Sequence, residues 1–70
     1  MDRKLVYKTL LEDGMILEKN RITVSQYQRL GKSFYQVHSD NYKAKESLLF
    51  KADQLDEAVD KFIELLKKVS

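Results

Sequence analysis

The chain contains no cysteine, no proline and no tryptophan, and it has one histidine and two glycines. Without cysteine no disulfide can form, and His38 alone cannot assemble a Cys/His zinc site. With no proline and so little glycine there is no linker, repeat or low-complexity stretch to divide the chain. Long apolar runs are missing as well. In MDRKLVYKTLLEDG the first apolar run ends at Lys8 after three residues, whereas a signal peptide needs about 7–15 apolar residues and a membrane span about 20. The expectation is a soluble, cytoplasmic protein with no membrane contact.

A dominant charge is also lacking, because the net charge is only +2. Its distribution is uneven. Residues 1–51 carry ten Lys/Arg against six Asp/Glu, while residues 52–70 carry three against five. The first part is mildly basic and the second acidic, which is compatible with a basic binding face and equally with an ordinary solvated surface. Seventy residues make one small domain, 1–70. A chain of this size buries only about 60% of its unfolded surface, so its core is thin and a partner subunit would help it.

What is present begins with the C-terminal segment DQLDEAVDKFIELLKKV. Leu55, Val59, Phe62, Leu66 and Val69 recur at helical spacing with Ala58 and Leu65 beside them, which predicts a helix over about 54–68. Asp53 is placed to cap it, and acidic Asp56 and Glu57 at the start with Lys67 and Lys68 at the end suit the helix dipole. Upstream the period becomes two. Leu5, Tyr7, Thr9 and Leu11 alternate with Lys4, Val6, Lys8 and Leu10, predicting a strand over about 4–11 and a turn at Glu12-Asp13-Gly14.

Further strands are expected over about 15–18, 21–28 and 33–38, with a fifth candidate at 46–50. A turn at Lys19-Asn20 would set Leu17 opposite Ile22, Met15 opposite Val24 and Glu18 opposite Arg21; a bulge in one long strand would also serve. Around Gly31, pairing Arg29 with Lys32 puts Val24 against Val37 and Gln26 against Tyr35 on the core side, and Tyr27 against Phe34 on the other. A slip by one residue would turn Phe34 inward and Val37 outward; the first register separates polar from apolar better. The fold class is α+β, a four- or five-stranded antiparallel meander with one C-terminal helix packed on one face.

The stretch QYQRLGKSFYQVH holds a Gly31-Lys32-Ser33 that matches the end of a phosphate-binding loop. Such a loop also needs a glycine where Gln26 stands and a helix after the serine, but strand-forming FYQVH follows. Gly31 is better explained by a hairpin tip that needs positive φ. The aromatics beside it matter more. On the side away from the helix, Tyr27 and Phe34 could stack unpaired bases, with Arg21, Arg29, Lys32, Lys43 and Lys45 holding phosphates. The same rings equally suit a strand that simply packs them on one another or on the helix. Val6, Leu10 and Ile16 would extend that side into an apolar patch fit for a second protomer.

His38 stands without the partners a catalytic base needs, and Asp53, Asp56, Glu57 and Asp60 read as a solvated helix face rather than a calcium site. The expectation is therefore a non-catalytic binding module without cofactor or metal. Single-stranded DNA or RNA is its expected ligand, and a homodimer or other protein contact is the alternative.

Overall fold

The computed structural model describes residues 3–11 and 16–70. Helix α1 (Arg3–Leu11) is followed by strands β1 (Leu17–Lys19), β2 (Ile22–Arg29), β3 (Lys32–Ser39) and β4 (Glu46–Lys51), and by helix α2 (Leu55–Val69). The strands pair antiparallel in the order β1-β2-β3-β4. The architecture is α+β, an open four-stranded meander, and among the described residues no helix is long and apolar enough to cross a membrane.

Helix α2 follows from its sequence. Ala58, Val59, Phe62, Leu65, Leu66 and Val69 form one continuous stripe and are all buried. They meet Ile22, Val24, Tyr35 and Val37, the inward set of β2 and β3, in a single core. The amino end differs from expectation. Gln54, not Asp53, is the cap residue: its carbonyl accepts the Ala58 N–H at 3.1 Å, and its side-chain oxygen accepts the Lys51 N–H at 2.9 Å. The side chain thus ties the end of β4 to the helix start instead of capping the helix.

The expected first strand is a helix. Alternation over 5–11 satisfied a period of two, but Val6 and Leu10, four residues apart, are the pair that becomes fully buried, while Leu5 and Leu11 stay exposed. A nine-residue helix is marginal alone, so tertiary contacts decide the outcome. Arg3 pairs with Asp60, and the Tyr7 hydroxyl donates to Asp56, both on α2. Gln26 donates to the Leu10 carbonyl at 2.8 Å, satisfying a helix-end acceptor from β2. This helix overturns the proposed dimer patch, since Val6 and Leu10 lie inside the monomer's own core. Ile16 alone of that set is exposed. The turn assigned to Glu12-Asp13-Gly14 lies outside the described residues.

Two tight turns set the strand registers. Leu30 and Gly31 have φ of 53° and 76°, and Arg29 pairs with Lys32 across them, as the first of the two sequence registers required. Nothing lies within 4 Å of where a Gly31 Cβ would be, so glycine is used there for its backbone freedom and not for space. The other turn falls one residue later than expected. Asn20 and Arg21 have φ of 54° and 65°, so the turn centres on them and sets Leu17 opposite Val24 and Lys19 opposite Ile22. Both central residues positive is the turn whose twist matches a hairpin.

Candidate nucleic-acid interface

Both helices contribute to the core on one side of the sheet, and side chains alternate along each strand, so the odd-numbered residues of β2 point away from them. The register then builds rows across the other face. Thr23, His38 and Ser47 form one row; Ser25, Gln36 and Leu49 the next; Tyr27, Phe34 and Lys51 the third; Arg29 and Lys32 the last, at the hairpin tip. Tyr27 is 38% exposed and Leu49 59% exposed.

The two rings touch. Their centroids are 6.5 Å apart with planes tilted by 49°, within the range of favourable aromatic pairs. The tilt means that each ring presents its own face rather than one shared platform. Beside Phe34 a shallow hollow of about 440 Å³ is lined by Lys32, Ser33, Phe34, Lys51, Ala52 and Asp53. Among the described residues no ion pair engages Arg29, Lys32 or Lys51, so three cations border the rings.

The expected phosphate contacts do not gather in one place. Arg29 and Lys32 sit with the rings. Arg21, the turn residue just before β2, lies eight residues back from Arg29, about 26 Å at the rise of an extended strand. There it pairs with Asp40 at 2.6 Å, and that guanidinium holds the Asp40 carboxyl below its usual range. Lys43 rests 5.9 Å from the Tyr42 ring centre. Lys45 acts electrostatically on Asp40 and so belongs to this second end. The Arg21 end is tied together further, because Asn41 donates to the Asn20 carbonyl at 2.9 Å and Asp40 N–H donates to the Arg21 carbonyl at 2.9 Å.

Lys51 is the residue that sequence reasoning missed. Its place opposite Phe34 depends on the β3–β4 register. Although Asp40 and Asn41 mark a turn, where the Asn41 side chain accepts the Lys43 N–H at 2.9 Å, they do not fix how many residues the connection takes before β4. The helix side offers a different groove of about 620 Å³ between Arg3, Lys19, Asp60 and Lys67, where Arg3 and Asp60 already neutralise one another. No group of His, Cys, Asp and Glu suited to a metal ion exists among the described residues. Comparison with protein-family models, with curated proteins and with solved structures found no match.

Proposed function

We propose that this protein is a small non-catalytic module that binds single-stranded nucleic acid across the open face of its sheet. What supports the reading is the row formed by Tyr27, Phe34 and Lys51, two touching rings on a helix-free face with a cation in line and Arg29 and Lys32 beside them. Base stacking on an aromatic ring contributes about 1–3 kcal/mol, so two rings suffice for a measurable site. Three phosphate contacts would make log K fall against log salt with a slope of about −2 for a single strand. Ring faces accept any base, so the binding is tolerant of sequence. A chain with no disulfide to lose suits a reducing compartment, and a cytoplasmic location belongs to this proposal.

The test is an NMR titration with short single-stranded DNA and RNA at two salt concentrations. Shifts centred on Tyr27, Phe34 and Lys51 that weaken with salt are expected. No shifts at low salt would remove the proposal. A second reading, a protein partner on the same face, draws on Leu49, which puts an exposed aliphatic side chain next to the rings. It expects salt-insensitive binding centred on the Leu49 row.

A further inference from the structure

The two edges of the sheet are unlike. β1 is three residues long and carries Glu18 and Lys19, which is how natural sheets blunt an edge. β4 has six residues, and its middle is Ser47-Leu48-Leu49-Phe50 with no charge. It pairs with β3 on one side only, and no described strand covers its other side. Its outward N–H and C=O groups are a template for another extended strand. Leu48 and Leu49 are both exposed there.

We propose that β4 pairs antiparallel with β4 of a second copy of this chain, about a two-fold axis at Leu49. The symmetry restricts the choice. Two identical strands side by side and antiparallel are related by an axis perpendicular to the sheet, so each residue must oppose one of its own parity. An axis at Leu48 would set Glu46 against Phe50 of the second copy, although Glu46 is already held by Lys61 at 3.1 Å. An axis at Leu49 sets Leu48 against Phe50 twice on the helix side, and Leu49 against Leu49 and Ser47 against Lys51 on the open side. Apolar meets apolar, no like charges are opposed, and five residues of each strand overlap. That register is self-complementary.

The product is one continuous eight-stranded sheet. Both ring pairs then lie on the same face, with the two β2 strands about 24 Å apart at ordinary strand spacing. The pairing does not depend on what that face binds.

The absence of cysteine makes the test clean. Residues directly opposed across an antiparallel pair have Cα atoms about 4.5–5.5 Å apart, within disulfide reach. Leu49→Cys is expected to form a disulfide-linked dimer on mild oxidation. Ser47→Cys, whose counterpart in the second copy is four residues away along the strand or about 13 Å, is expected to cross-link at least about tenfold more slowly. Sedimentation of the unmodified chain over a concentration series should show a dimer, and Leu48→Lys, an exposed position on the helix side that faces Phe50 of the second copy, should sediment as a folded monomer. A chain that stays monomeric at every concentration, or equal cross-linking from positions 47 and 49, would overturn the pairing. Oligonucleotide shifts at Tyr27 and Phe34 are expected to persist in Leu48→Lys, whose side chain lies on the other side of the sheet from the rings, so this proposal and the functional one fail separately.

Discussion

The two faces of the sheet are made by the same strands and treated in opposite ways. On β2 and β3 the inward residues Ile22, Val24, Tyr35 and Val37 are sealed by two helices, while on the far side Tyr27 is exposed and Phe34 only half-buried. Apolar surface removed from water contributes about 25 cal/mol per Å², so the covered face carries the stability and the open face contributes little. Aromatic content alone therefore does not locate a core. Position on the pleat does, and rings left outside are free to serve a partner.

The sharpest way to break the contrast is to cut into the covered face. Phe62→Ala removes the largest fully buried side chain and is expected to cost about 3–5 kcal/mol in urea unfolding, enough to unfold a marginal domain. Leu10→Ala tests whether α1 belongs to the same layer; a loss of about 2–4 kcal/mol is expected, against a negligible change if α1 were an ornament. On the open face the ranking should invert. Phe34→Ala is expected to cost about 1–2 kcal/mol in unfolding, one aromatic pair plus the burial of half a ring, while weakening oligonucleotide binding by about 1 kcal/mol or more in a fluorescence titration. An equal loss of stability in Phe34→Ala and Phe62→Ala would end the distinction between the faces.

The smallest effect concerns the rim of the covered face. A hydrogen bond from Lys61 to Glu46 raises the Lys61 pKa above the ordinary lysine value. The folded state therefore gains stability that is complete below the unfolded lysine pKa and disappears as pH rises through the elevated one. Melting temperature should fall over that alkaline interval in the natural chain and fall less in Glu46→Gln. The pair is near the surface, so the change is expected to be slight.

Much of this was legible from residues alone. The α2 stripe declared itself through spacing, and the β2–β3 register through Gly31 together with the segregation of Val24 and Val37 from Tyr27 and Phe34. The Asn20-Arg21 turn was harder to place, because arginine gives no hint of positive φ. Residues 4–11 read as a strand from sequence because the same residues satisfy both periods, and the partners that decide for a helix, Asp56, Asp60 and Gln26, are remote in sequence. The rings of the candidate site were readable for the same reason as the register. Its cations were read less well: charge alone does not separate Arg29 and Lys32 from Arg21, although the same β2–β3 register carries Asp40 to the place opposite Arg21 and so ties that guanidinium into an ion pair.

The clasp between Gln26 and the Leu10 carbonyl has a dynamic consequence. A nine-residue helix held by two buried side chains and a few polar links is the segment most easily released, and it should open as a unit before the sheet does. Amide hydrogens of residues 7–11 should accordingly exchange with solvent faster than those of β2 and β3. Each such opening would briefly bare the apolar strip that Val6 and Leu10 otherwise shelter.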